Sequence, residues 1–489
     1  MNETEIKNDR LMLFIISLLC GGDVRGTSLL TELTQKRLPR EPLTAEDVLQ
    51  ALDDLSLPLP RRQVTLRRIK SVMRQVEDWT KQNVDVATAE ELSICDVEGW
   101  GLGSFFYVWG NRQVLEKQRA AVFNSRKPRT ISPHDPWLRV SKRFTEEAME
   151  QGYVLVSSLG NAPYNWISYL AKRSGSPLVL VCDGLLPWMD SENKKDAFLT
   201  AYGDLFDPAN TLFLSPFSPG FLPPYKERQP IRDACVATIS HKLWVAEVRP
   251  NGIMERLVKR AAGRGLSIVQ ASPEKIGKAA PAALTEKSAR TPQTRPYEVL
   301  TMEDGQFLVH FTRSCPGPWP GQTWFQYLRS LDEEDEHSGH SAFDTLIRIL
   351  DKKTIRGGSR LTRGPGRVVS FTGCSLREMR SLLRWNRSLI RWNFEPYGIA
   401  VNKELLQEMG ARPVVYAPSE EYDGLPEAEQ YRFQLHNPPR TDWSGEKEWR
   451  IQGDLDLRAV PAGQMAIVIP KEALDRWLET PHSFPIVFI

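Results

Sequence analysis

The sequence predicts an α/β protein in three parts: a helical N-terminal module at residues 1–90, a parallel-sheet domain at 91–272, and a C-terminal α+β domain at 297–489. Three observations predict this. Apolar runs of strand length recur at residues 120–123, 153–156 and 178–181, each stopped by small or turn-forming residues. Amphipathic stretches at 137–151 and 164–173 separate them, and that alternation is the mark of βαβ units around a sheet buried on both faces. From Pro273 to Pro296 the apolar period disappears among Ala, Pro, Lys, Ser and Thr, which reads as an exposed linker between two domains.

The composition is that of an ordinary soluble chain. Of 489 residues, 41% are hydrophobic and 25% charged, enough for about three domains. A net charge of +2 gives no global pull toward nucleic acid or membrane, so any such binding needs a local patch. Cys20, Cys95, Cys182, Cys235, Cys315 and Cys374 are scattered without a Cys-x-x-Cys pair, as reduced thiols of a cytoplasmic protein would be. The apolar run at 11–20 is far shorter than the roughly 20 residues that span a bilayer. Glu3, Glu5 and Asp9 precede it where a secretory signal needs basic residues. It is expected to be a buried helix, with no membrane partner.

In the N-terminal module, Thr44 and Asp47 form a capping pair ahead of Val48, Leu52 and Leu55. A second helix carries Leu66, Ile69, Met73 and Val76 on one face, surrounded by Arg61, Arg62, Arg67, Arg68, Lys70 and Arg74. That basic face suits nucleic acid, but the expectation taken is a solvated helix packed on the sheet domain.

In a parallel sheet the strand-to-helix loops gather along one edge, where backbone N–H groups and helix N-termini favour phosphate. Ser125, Arg126 and Lys127 follow the first of the three runs and offer a hydroxyl, a guanidinium and an ammonium. Ser157, Ser158, Gly160 and Asn161 make a small-residue turn that admits close backbone approach. Asp183 and Gly184 end the third run, within reach of a ribose hydroxyl, and Arg228, Arg232, Asn251 and Gly252 would complete the far wall.

Residues 106–111, 121–126, 152–160, 181–185 and 228–252 carry a resemblance in order and spacing to the DprA/Smf DNA-processing family, part of the Rossmann-like SLOG superfamily of nucleotide and nucleic-acid sensors. The resemblance spans about 165 residues and implies a nucleotide-derived signal or single-stranded nucleic acid as the partner. Asn124-Ser125-Arg126 stands where the family has Gly-Ser-Arg, and the turn from Ser157 to Asn165 lacks the family's acidic residue. No Pro-Gly-Gly-x-Gly-Thr segment is present, which argues against the nucleotide-cleaving branch.

The C-terminal part reads as a strand at 306–312, a helix presenting Phe343, Leu346, Ile347 and Leu350 after an acidic loop at 332–336, and a strand at 367–372. A basic helix through Arg380 and Arg384 follows, then strands at 397–401 and 413–416, one opening at Glu446, and one at 465–469. His337 and His340, three apart without a third ligand, are not expected to hold a metal. His310 with Thr312, then Ser370-Phe371-Thr372 or Tyr397, then Glu446-Lys447-Glu448, resemble the motifs of ADP-ribosyltransferase-like domains, especially toxin and phage-defence effectors. The resemblance implies NAD as substrate. Glu448 would stabilise an oxocarbenium-like ribose, His310 would hold the ribose, Tyr397 or Phe371 would stack on nicotinamide, and Arg313 would meet the pyrophosphate. Together the halves suggest an anti-phage protein in which a sensor controls an NAD-using effector, with a partner defence or antitoxin protein and a homo-oligomer as further expected partners. The alternative is a non-enzymatic DNA-binding protein of the DprA kind.

Overall fold

The computed structural model describes residues 3–19, 43–54, 65–94, 97–125, 127, 130–219, 222–271, 296–359, 362–363, 366–386, 391–440 and 442–489. The chain divides into two compact units, residues 1–281 with 317–335, and residues 282–316 with 336–489. The first unit thus holds both the N-terminal helices and the parallel sheet, and takes a segment that the sequence reading gave to the C-terminal domain.

The first unit is built on an eight-stranded sheet: β1 (Val84–Thr88), β2 (Phe105–Gly110), β3 (Arg119–Asn124), β4 (Val154–Ser158), β5 (Leu178–Val181), β6 (Thr211–Ser215), β7 (Lys242–Glu247) and β8 (Ser267–Gln270). Its order is β1-β2-β6-β5-β4-β3-β7-β8. Strands β3 to β8 pair in parallel, while β2 joins β6 and β1 joins β2 antiparallel. The five strands β3 to β7 are buried almost throughout, which is why they read as continuous apolar runs. Strand β1 falls where the sequence reading placed only helix. Val84 and Val86 point into the core around Asp85, a period of two, directly after a left-handed Asn83 that ends the preceding helix. At Gly110 (φ 105°) an added Cβ would lie 2.3 Å from the Thr211 carbonyl oxygen, so β2 can end only on glycine there.

Helices α1 (Glu3–Leu19), α2 (Ala45–Asp54) and α3 (Leu66–Lys81) pack beside β1 and β2. Residues 12–16 of α1 are wholly buried in one cluster with Ile69, Val76 and Trp79 of α3. Phe14 stacks on Trp79 at 6.0 Å, and the Ser17 hydroxyl lies 3.2 Å from that of Tyr107. The apolar N-terminal run is therefore core, and no described helix is long and apolar enough to cross a membrane. Arg67, Arg68, Lys70 and Arg74 of α3 stay exposed; Arg61 and Arg62 lie outside the described residues.

Helices α4 (Pro136–Glu150) and α5 (Ala162–Arg173) cover one face of the sheet, and α7 (Tyr225–Thr238) and α8 (Ile253–Gly263) the other; α6 (Glu192–Tyr202) follows β5. Helix α9 (Trp324–Asp332) completes the unit, with Tyr327, Leu328 and Leu331 buried in the same cluster as α4 and α5. Residue 332 thus closes a docked helix instead of opening an acidic loop, because the apolar face of α9 finds its partner in the first unit.

The second unit carries a seven-stranded sheet of β9 (Phe307–Phe311), β10 (Val368–Thr372), β11 (Gly398–Asn402), β12 (Arg412–Pro413), β13 (Glu448–Gln452), β14 (Met465–Ile469) and β15 (Ile486–Phe488). The order is β12-β13-β10-β9-β11-β14-β15, antiparallel except for β14 with β15. Helix α10 (Ala342–Lys352) starts in a reciprocal cap between Ser341 and Asp344 and lays Phe343, Leu346, Ile347 and Leu350 on one face. The expected strand at 413–416 is split. Arg412–Pro413 extends the main sheet, and Val415–Ala417 pairs in parallel with Phe433–Leu435. The expected basic helix is short, Leu376–Leu382, and ends before Arg384.

Candidate functional site

The connection from β3 returns to the sheet at β4 through α4 on one face, whereas the connection from β7 returns at β8 through α8 on the other. Between β3 and β7 the strand order reverses, so their loops diverge and leave a crevice at the carboxyl ends. The sequence-expected residues divide into two groups along that edge.

At the reversal point the Ser125 N–H donates to the Glu247 carbonyl (2.8 Å), and the Ser125 hydroxyl accepts from the Arg249 N–H (2.7 Å). Lys127 has a side chain only 7% exposed, held 2.6 Å from the Glu247 carboxylate and 5.6 Å above the Trp137 ring. These contacts tie the two diverging loops together. Arg126 lies outside the described residues. Asn251 takes a left-handed conformation and donates its N–H to Glu255, and Gly252 precedes α8; both are turn geometry at the rim.

The second group surrounds the ends of β4 and β5. Gly160 turns with φ 92° and donates its N–H to the side-chain Oδ1 of Asn165 (3.0 Å). Asn161 caps α5 by accepting from the Tyr164 N–H (3.1 Å). The Ser157 hydroxyl donates to the Tyr164 carbonyl (3.0 Å) and receives the Ser168 hydroxyl; Ser158 is buried beside it. From the opposite face α7 brings Arg232, 4% exposed, whose Nε and Nη2 donate to Asp233 (3.0 and 2.8 Å) while its plane lies 4.9 Å over the Tyr164 ring. The Tyr164 hydroxyl donates to the same Asp233 oxygen (2.9 Å), and burial, then Asp233, pushes its pKa well up. Arg228 lies close against Gly184, where an added Cβ would sit 3.3 Å from Nη1. Desolvation works against the Arg232 charge, but Asp233, and weakly Asp183, outweigh it and raise its pKa. The half-buried Cys182 and buried Cys235 thiols are pushed up by desolvation and stay protonated.

Among the described residues, four buried polar atoms on this edge have no hydrogen-bond partner: Asn124 Oδ1, Asn165 Nδ2, Ser218 Oγ and Arg228 Nε. Asn124 ends β3 and Asn165 opens α5 in the adjacent connection, so an orphaned acceptor and an orphaned donor both lie at the β3–β4 mouth. Buried polar groups are almost always paired, with water or a bound group where the protein supplies no partner. Sequence reading missed Asn165, because only the observed turn brings its amide back to Gly160. It also missed Tyr225, 55% exposed at the N-terminus of α7, with the Arg228 guanidinium 5.4 Å from its ring.

In the second unit the expected catalytic residues do not converge. His310 pairs across to Ile399 and packs edge-on to Phe371 at 5.8 Å. Burial lowers its pKa, and its Nδ1–H donates to the Ser370 carbonyl (2.8 Å). Glu448 pairs with Thr372, which pairs with Val309, so Glu448 projects with Thr372 and Val309 to the sheet face opposite His310 and Phe371. Its carboxylate is occupied by Arg450 (2.9 and 3.0 Å). Glu446 is in a short turn, and a left-handed Lys447 separates it from the strand, so the two glutamates do not alternate along β13. The Thr312 hydroxyl donates to the Ala342 carbonyl, the Ser370 side chain faces away from His310, and Tyr397 packs on Phe343 at 5.6 Å. The NAD site implied by the resemblance is therefore not assembled from these residues.

Asp344 instead anchors a structural cluster. It accepts from His337 Nδ1 (2.9 Å) and Arg476 (2.6 Å) and caps α10. Burial pushes its carboxyl up, but the hydrogen bonds from His337 and Ser341 and the Arg476 charge outweigh this and hold it at about 2, against 3.8 normally. A lowered folded pKa stabilises fully above the unfolded value and loses that contribution as pH falls through the folded one. The second unit should therefore lose about 2 kcal/mol of stability between roughly pH 4 and pH 2, and Asp344→Asn should flatten that slope in acid-denaturation curves.

No protein-family model and no curated protein matches the chain. Among solved structures it is similar to DNA processing protein A of Streptococcus pneumoniae, at 16% identity and a TM-score of 0.32, over 59% of this chain and 93% of that one. It is also similar to DNA processing protein A of Helicobacter pylori, whose structure is described for its single-stranded DNA binding mode, at 15% identity and a TM-score of 0.27, over 34% of this chain and 71% of that one.

Proposed function

We propose that the first unit binds single-stranded nucleic acid, with a phosphate-bearing end seated at the carboxyl edge of the parallel sheet. The observation that carries this is the set of orphaned buried atoms, Asn124 Oδ1, Asn165 Nδ2, Ser218 Oγ and Arg228 Nε, lying on an edge that also buries the cations Lys127 and Arg232. A phosphate–sugar group supplies acceptors for the arginine and the Asn165 amide and a hydroxyl donor for Asn124. The exposed Tyr225 beside Arg228 adds a surface on which an unpaired base stacks. The geometry gives no support to an NAD-using activity in the second unit, so this reading is of a binding protein.

Fluorescence anisotropy with labelled oligothymidylate tests it. Arg228→Ala is expected to weaken binding about tenfold, and log Kd should rise with log salt at about 0.7 per phosphate contacted. Failure to bind at 50 mM salt, or an Arg228→Ala affinity equal to that of the unaltered protein, sinks the proposal. Free mononucleotides that compete as well as the oligomer would reassign the site to a small nucleotide signal.

A further inference from the structure

Helix α9 belongs to the first unit, yet the chain enters residues 317–335 from the second unit and returns to the second unit immediately after them. It is a strap, held by more than its apolar face. The Asp332 carboxylate, 5% exposed, is gripped by three donors of the first unit: Lys142 Nζ (2.7 Å), the Arg173 guanidinium, and the Tyr169 hydroxyl (3.1 Å). Phe325 packs edge-on to Tyr169 at 5.1 Å and donates its N–H to Asp204 (2.8 Å), and Trp324 stacks on Tyr202 at 6.1 Å. Burial and then Asp332 raise the pKa of Tyr169, so it remains a donor at any physiological pH.

Two of these three donors, Tyr169 and Arg173, come from α5, whose other end is the candidate binding edge. Asn161 caps that end and Asn165, with its orphaned Nδ2, occupies the first turn. Asn165, Tyr169 and Arg173 follow one another at intervals of four, along one stripe of a 12-residue helix about 18 Å long. A rigid helix therefore carries the ligand-facing amide at its start and the strap's grip at its finish. A shift of α5 that improves the fit of a ligand to Asn165 necessarily moves Tyr169 and Arg173 relative to Asp332.

We infer that the strap is a coupling element: occupancy of the carboxyl edge and docking of α9 stabilise the same position of α5, so ligand binding tightens the strap. This rests on the edge being the ligand site. Coupling of this kind is reciprocal, so a ligand that tightens the strap by some factor must itself be bound more weakly by that factor when the strap is loosened.

The test uses the full chain, oligothymidylate as probe, and hydrogen–deuterium exchange of amides 324–332. Saturating probe is expected to slow exchange of that segment about tenfold, and Asp332→Asn to weaken probe binding about tenfold, within the usual range of such couplings. Tyr169→Phe removes one donor while keeping the ring and guards against a misfolded variant; it should shift both readings in the same direction by less. If the probe binds but exchange of 324–332 is unchanged or faster, or both variants bind as the unaltered chain does, the coupling inference is overturned and the binding reading stands. If the unaltered chain does not bind the probe, the binding reading fails and the coupling falls with it.

Discussion

Replacing Arg119 by methionine is expected to destabilise the first unit by about 3–5 kcal/mol, lowering its melting temperature by roughly 10 °C. Arg119 opens β3 at the end of the sheet away from the candidate site and is 3% exposed. Its guanidinium donates to three carbonyls from three segments: Ile239 (2.7 Å), Leu115 (2.6 Å) and Leu92 (3.2 Å). Burial lowers its pKa without a carboxylate to offset the cost, so the cation is tolerated because those carbonyls surround it. Methionine fills similar volume but orphans all three acceptors in a dry site. Lysine keeps the charge and loses the fork, so Arg119→Lys should recover only a minor part. Urea denaturation monitored by tryptophan fluorescence measures both, and a methionine variant within about 1 kcal/mol of the parent would refute the account.

The parallel sheet was legible because its strands are buried on both faces. Leu178-Val179-Leu180-Val181 can be little else once turn residues flank it. The candidate edge was legible for the same reason, since residues after such strands must lie at the carboxyl end. What the sequence hid are consequences of tertiary contact. The strand at 84–88 is too short and too mixed to announce itself, and β2 stabilises it residue by residue. Helix α9 has an apolar face like any other, and nothing in its period says which unit will cover it. The orphaned amides of Asn124 and Asn165 are visible only when every neighbour's hydrogen bonds are known. The catalytic expectation failed on register. The strand positions of His310 and Glu448 were read correctly as strand, but pairing decides the face, and one residue of offset reverses it.

That reversal has a measurable consequence at Glu448. Arg450 is 2% exposed and fully bonded: two contacts to Glu448, Nη1 to the carbonyls of Tyr431 (3.0 Å) and Phe433 (2.8 Å), and Nη2 to Gln434 (2.7 Å). Glu448→Ala therefore strands a buried cation and is expected to destabilise the second unit by about 3–5 kcal/mol. Glu448→Gln keeps one acceptor and should lie between. Adding Arg450→Met to Glu448→Ala should restore part of the loss, because the uncompensated charge is removed with its partner. A catalytic carboxylate behaves in the opposite way: its removal leaves folding intact and abolishes turnover, and a second change at Arg450 has nothing to rescue. Chemical denaturation of the three variants separates the cases. If Glu448→Ala unfolds at the parent's midpoint, the pair is not structural, and the strand register that turns Glu448 away from His310 must be wrong.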